Sequence, residues 1–289
     1  MFIIMRWHHI FLLPLIGLLI ACPKTDNNSP GKLSIGVVSY GDSERSLERY
    51  SGLKKYLGSE LKSIVEFEPA FNEVQALEQI KRRRWDLVFA PPGLAAIAIA
   101  QNNYVALFPL EGLQKTRSVI VVREDSEMVQ LQDLAGKVIA LGQPGSATGY
   151  YLPIYNLYGL TLAEVRFAPT PKTILAWLDS EEVTAGALSL DEFNRHRTSF
   201  PSTKFRILDS DSHNVPTGAV LVGENIERNQ QEMIRDKLSQ VPPSIAAAAG
   251  YIPNDRLPDY KYLIDVVERV TPIAERIKEK PAPLYEQKP

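Results

Sequence analysis

Cysteine is nearly absent: the chain of 289 residues contains one, Cys22. A disulfide framework is thereby excluded, and stability must come from core packing. Histidine is scarce as well. Of the four, His8 and His9 precede Cys22, and His196 and His213 lack the spacing of metal ligands, so no metal site is expected. Neither sign of charge dominates, since 32 Lys and Arg face 34 Asp and Glu for a formal charge of −2. Nucleic acid is therefore not an expected partner. There is no Gly-x-Ser-x-Gly elbow, no thiol placed as a nucleophile and no assignable acid/base pair, which argues against an enzyme.

What is present begins with an apolar run from Ile10 to Ala21, preceded by Arg6 and broken only by Pro14 and Gly17. A bilayer-spanning helix needs about 20 apolar residues, so this run fits the core of an export signal better. It ends in Leu19-Ile20-Ala21-Cys22, which resembles a bacterial lipobox. That resemblance implies a lipoprotein signal over residues 1–22, lipidated at Cys22. The polar, turn-rich residues 23–31 read as a flexible tether. An exported body is expected in the cell envelope, outside the cytoplasmic membrane and held to it only by lipid.

From Leu33 the pattern alternates. Leu33 to Tyr40 is a β-branched apolar run, then Leu47, Tyr50, Leu53 and Leu57 recur at helical spacing up to Gly58, the expected stop. Val65 to Pro69 and Trp85 to Ala90 read as strands, with a helix through Val74, Leu77 and Ile80 between them. Two strands follow at Tyr104–Phe108 and Thr116–Val122, then a short helix over Leu131-Gln-Asp-Leu-Ala-Gly136 and a strand at Val138–Ala140. A further strand, Val165–Ala168, and a helix through Ile174, Leu175 and Leu178 precede a return strand, Pro216–Val222. Helices are expected over Ile226–Val241 and from Leu263 to Ile277, the latter kinked or restarted at Thr271-Pro272, and Glu279–Pro289 reads as a frayed end. Strands alternating with helices imply mainly parallel, helix-covered sheets. The outgoing Ser118–Val122 and returning Pro216–Val222 suggest a two-stranded hinge.

The most informative stretch is Leu141-Gly-Gln-Pro-Gly-Ser-Ala-Thr-Gly149, set between an apolar strand and Tyr150-Tyr-Leu-Pro-Ile154. Gly145 permits close backbone approach, Ser146 and Thr148 are N-cap types, and the first amides of a following helix would point out of the turn. The spacing matches neither G-x-G-x-x-G nor the phosphate loop. Helix capping explains the same residues, and so does a seat for a small anion or zwitterion. Tyr40, at the end of the first strand, lies where open α/β sheets bind ligands. Arg117 opens a crossing strand, as an exposed residue or a cationic clamp. His213 sits in Asp209-Ser-Asp-Ser-His-Asn214, read as a solvated loop, and Arg82-Arg83-Arg84 as an exposed helix end.

Over roughly residues 32–280 the chain resembles the phosphonate/phosphite-binding lipoproteins of ABC importers. The residues that carry this are Leu33-Ser-Ile-Gly-Val-Val-Ser39, Trp85-Asp-Leu-Val-Phe89, Ser118-Val-Ile-Val-Val122, Leu131-Gln-Asp-Leu-Ala-Gly-Lys137 and, above all, Pro144-Gly-Ser-Ala-Thr-Gly-Tyr-Tyr-Leu-Pro153. The resemblance implies a two-lobed α/β fold of the type II periplasmic-binding-protein kind. Each lobe would be a mainly parallel sheet flanked by helices, with two hinge crossings. Lobe 1 would comprise 32–117 plus 223–289, and lobe 2, with the anion-binding turn, 118–222. It further implies a ligand site at Gly145, Ser146, Ala147, Thr148 and Gly149, joined by Tyr40 and by Asp191 where the family has a glutamate. Ala147 stands where the family usually has threonine. The family's two aromatic contacts fall at about Glu73 and within Ala90-Pro91-Pro92, its histidine at Pro171 or Lys172, and its aspartate near Gly218, so 2-aminoethylphosphonate does not follow. The expected function is binding of a small oxyanion or phosphonate-like solute for delivery to a permease and its ATPase, by a monomer without cofactor. A sensory module signalling to a kinase or cyclase is the alternative.

Overall fold

The computed structural model describes residues 31–39, 47–112 and 116–286. The leader, Cys22, the tether up to residue 30 and Tyr40 lie outside them.

The first sheet starts with Lys32–Val38 (β1), whose five consecutive buried residues mark it as interior. Helix Ser51–Leu61 (α1) buries Leu53 and Leu57 and runs straight through Gly58. It stops instead at Lys62, in the left-handed conformation, because the packed face outweighs the roughly 1 kcal/mol that one glycine costs a helix. Ile64–Ala70 (β2) pairs parallel to β1, and Glu73–Lys81 (α2) begins at Asn72, whose side chain accepts the Gln75 N–H. Leu87–Ala90 (β3), buried throughout, pairs on the other side of β1. Pro92–Asn102 (α3) follows, then Val105–Pro109 (β4). Every residue of α3 from Gly93 to Ala98 is buried. A helix apolar on all sides needs cover on all sides, and α3 packs on its own sheet, on the turn after residue 146 and on a C-terminal helix.

The chain then crosses. Ser118–Arg123 (β5), Val138–Leu141 (β6), Glu164–Phe167 (β8), Ala185–Ser189 (β9) and Phe205–Ser210 (β10) form the second sheet, in the order β10-β5-β9-β6-β8. Between β6 and β8 lie Leu152–Asn156 (α4) and the two-residue strand Thr161–Leu162 (β7); Pro171–Asp179 (α5) and Leu190–His196 (α6) flank β9. The short helical turn Leu131–Leu134 ends before Gly136 at φ +69°, as the sequence predicts. Thr170 caps α5, and a reciprocal Ser189/Glu192 capping box opens α6.

Ala219–Val222 (β11) completes the first sheet, in the order β2-β1-β3-β11-β4. The outgoing and returning strands thus do not pair with each other. β5 is the one reversed strand of the second sheet and β11 the one reversed strand of the first. Strands joined by helical crossovers within a lobe run parallel, whereas a strand delivered from the other lobe is free of that rule. The expected boundary at 222 therefore differs from the structure, in which β11 is already first-lobe sheet. At the crossings, Val215 N–H donates to Thr116 O at 2.9 Å and Asp211 N–H to Ser118 O at 3.0 Å. Arg117 Nε donates to Asn214 Oδ1, so it ties one crossing to the other. The loop before Val215 is more than solvated surface. Asp211 is buried, accepts from Asn156 and from the His213 N–H, and the His213 ring stacks on Tyr262 at 3.7 Å.

The C-terminal third holds Arg228–Ser239 (α7), then Pro243–Ala249 (α8), which the sequence reading does not anticipate, and Lys261–Val270 (α9). α9 buries Leu263, Val266, Val267 and Val270. Pro272 then allows only a single tight turn, Thr271–Ile273. The chain end is not frayed within the described residues. Ala282–Pro283 (β12) pairs with β7, the Leu284 N–H donates to Leu160 O at 2.9 Å, and Ala282 and Leu284 are fully buried. Burying a leucine stabilises by about 1.5–3 kcal/mol. The segment assigned to lobe 1 from the sequence thus ends in the second lobe, making a third passage between them.

Candidate functional site: the cleft between the lobes

Buried β6 delivers the chain into Gly142, whose N–H bonds back to Gly149 O at 2.8 Å and closes the turn into a ring. Gly145 sits at φ +111°, and a β-carbon there would lie 2.7 Å from the Glu73 side chain. Only glycine fits on both counts. Ser146 is the N-cap: its Oγ accepts the Gly149 N–H at 3.0 Å, and its own N–H bonds Gln143 O. Residues Ala147–Tyr151 then form one wide π turn that continues directly into α4. Tyr150 and Tyr151 anchor this turn from below; burial raises both hydroxyls, that of Tyr151 to about 12, so they stay neutral.

Two backbone donors are left over. Among the described residues no acceptor bonds the N–H of Ala147 or Thr148. Ser146 Oγ uses its acceptor side on Gly149 and keeps its proton for donation. Thr148 is held in place by Ser118 Oγ, which donates to its carbonyl at 2.7 Å. Gly149 differs from expectation, because its N–H is consumed by the cap.

Ser146, Ala147 and Thr148 border a cavity of about 590 Å³ between the lobes, faced on the other side by Pro92 and Gly93 at the start of α3. Asp191, in the first turn of α6, borders the same space. Three residues not foreseen from the sequence also belong to it. Thr116, at the first crossing, carries a buried hydroxyl oxygen with no hydrogen-bond partner among the described residues. Arg195, one turn after Asp191 on α6, makes no side-chain hydrogen bond or ion pair among the described residues. Arg49 reaches in from the first lobe, its Nε donating to Ala248 O. The i, i+4 spacing of Asp191 and Arg195 is a signal the sequence does carry. Arg117 is absent from the lining, being engaged by Asn214. Four carboxylates, Glu73, Glu111, Asp191 and Glu192, share the cavity, and that of Glu192 is held by the Ser189 N–H and hydroxyl. The donors are thus a mix of fixed dipoles and two guanidinium groups, an arrangement that replaces the hydration of an anion without wholly balancing its charge.

The family model described as ABC transporter, phosphonate, periplasmic substrate-binding protein matches residues 35–253. The chain belongs to this family. Its members are the periplasmic binding components of ABC importers, which work with a permease and an ATPase. Solved structures agree in fold. The Xanthomonas citri protein XAC2383 bound to ATP superposes with a TM-score of 0.68 at 22% identity, covering 84% of this chain and 98% of its own. PhnD1 from Prochlorococcus marinus in complex with methylphosphonate gives 0.61 at 17% identity, covering 84% and 99%. A binding protein component of an ABC phosphonate transporter from Pseudomonas aeruginosa gives 0.59 at 13%, covering 85% and 89%. No curated protein matches the chain. As a family member the chain acts outside the cytoplasm, and among the described residues no helix is long and apolar enough to cross a membrane.

Proposed function

We propose that this protein, anchored through a lipid on Cys22, is a monomeric receptor that closes its lobes over a small oxyanion or phosphonate-like solute and presents it to the permease. The observation that carries this reading is the pair of unengaged amides at Ala147 and Thr148, set beside the Ser146 hydroxyl and the orphan Thr116 hydroxyl in one interlobe cavity. Donors left without acceptors become costly once the lobes close and exclude water, and a bound oxyanion satisfies them. The solved relative holding methylphosphonate is consistent with such a head group. Gly145 and Asp191 shape the seat.

The test is calorimetric titration with phosphate, phosphite, methylphosphonate and sulfate. At least one is expected to bind. Each lost hydrogen bond to a charged group costs about 1.5–3 kcal/mol, so the Ser146→Ala/Thr116→Val double variant, which removes both hydroxyl donors, should weaken binding more than tenfold. Undiminished binding in that variant rules out this seat.

A further inference from the structure

Beyond Ser146 lies a second cavity, a side chamber of about 310 Å³, bordered by Ala168, Pro169, Ile174, Ala187 and Leu188 and, on its polar side, by Gln143, Thr170 and His196. Ser146, Glu73, Glu192 and Arg195 border both spaces, so the expected head-group seat lies at the doorway between them.

The chamber exists because the residues around it are small. Ala187 lies on β9 and Ala168 just beyond β8, while Gly142 and Gly149 face each other so closely that a β-carbon on Gly142 would stand 3.2 Å from Gly149 Cα. Gln143 holds the doorway open by donating its Nε2 to Ala168 O at 3.0 Å. Without a ligand the chamber is large enough to hold several water molecules. A bare oxyanion on the turn would leave the water on the apolar side of the chamber against alanine, isoleucine, leucine and proline. An apolar group attached to the anion would release it.

Resting on the oxyanion reading above, we infer that the solute is a substituted phosphonate or a phosphate monoester, its head on residues 146–148 and its uncharged apolar substituent in the side chamber. Arg195, bordering both spaces without a side-chain partner among the described residues, stands where the two parts of such a ligand join.

The experiment compares methylphosphonate and phosphate with phenylphosphonate and phenyl phosphate by calorimetry on the full chain. The phenyl compounds should bind at least tenfold more tightly. Pro169→Trp, at an exposed rim position, should remove that advantage while leaving methylphosphonate affinity within twofold, in a protein whose fold is checked by circular dichroism. Equal binding of phenyl and methyl compounds, or phenyl binding indifferent to the filled chamber, overturns the inference and leaves the head-group seat standing. If none of the four binds, the head-group seat itself falls, and the inference with it.

Discussion

Gly93 of the first lobe and Gly145 of the second meet backbone to backbone. A β-carbon on Gly93 would stand 2.1 Å from the Gly145 carbonyl oxygen and 2.7 Å from the Ala147 nitrogen. The start of α3 therefore sits directly against the turn whose amides face the cleft. Behind this contact the buried face of α3 joins α9 and the tyrosines of the turn in a single apolar cluster spanning both lobes. The contact between the glycines is the point where lobe approach and site geometry become one variable.

Gly93→Ala sets two effects against each other. Alanine favours a helix over glycine by about 1 kcal/mol. The new methyl, however, meets two backbone atoms rather than a flexible side chain, and overpacking of this kind costs typically about 1–3 kcal/mol. The clash should win. The variant is expected to fold with a lowered melting temperature and to lose at least tenfold in anion affinity by calorimetry. Unchanged affinity would show that the lobes need not approach this closely to hold the ligand.

Thr116→Val should have opposite effects on the empty and the loaded protein. Valine keeps the shape and removes a hydroxyl that lacks a partner among the described residues. Relief of an unsatisfied buried hydroxyl is worth about 1–3 kcal/mol, and the low end applies to a residue only partly buried. The ligand-free melting temperature should rise while anion affinity falls severalfold. A drop in stability would mean that the hydroxyl bonds the protein in solution, and unaltered affinity would mean that it does not face the ligand.

Much of this architecture is legible in the sequence. The buried runs of β1, β3 and β5 announce interior strands, and the step from Val138–Leu141 through Gly145 and Ser146 into Tyr150–Ile154 announces a strand, a ligand-facing turn and a helix. Properties that depend on distant partners are not legible. Nothing near Gly58 shows that α1 will continue past it, because the compensating contacts come from the packed face of Leu53 and Leu57. Ala282-Pro283-Leu284 is too short to show a period, and its burial depends on the free edge of β7, more than a hundred residues earlier. The orphan state of Thr116 and the isolation of Arg195 are likewise properties of the assembled cleft, invisible to any local pattern.

The second crossing yields a pH prediction. Burial, together with the nearby Asp211 carboxylate, raises the carboxyl of Asp209 above the ordinary aspartate range. A carboxyl that holds its proton more tightly when folded than when unfolded makes stability fall as pH rises from the unfolded value through the folded one. At neutral pH this penalty is present in full, and below the unfolded value it is gone. Asp209→Asn should therefore raise the melting temperature at pH 7, with the advantage shrinking through the weakly acidic range and vanishing near pH 3. The strand register shifts beside Asp209, between Ile207 and Asp209, so the neutral amide has room to keep the backbone as it is. A melting temperature lowered by the substitution at pH 7 would mean that the charge is satisfied in the native protein and that the Asp211 repulsion is screened by water.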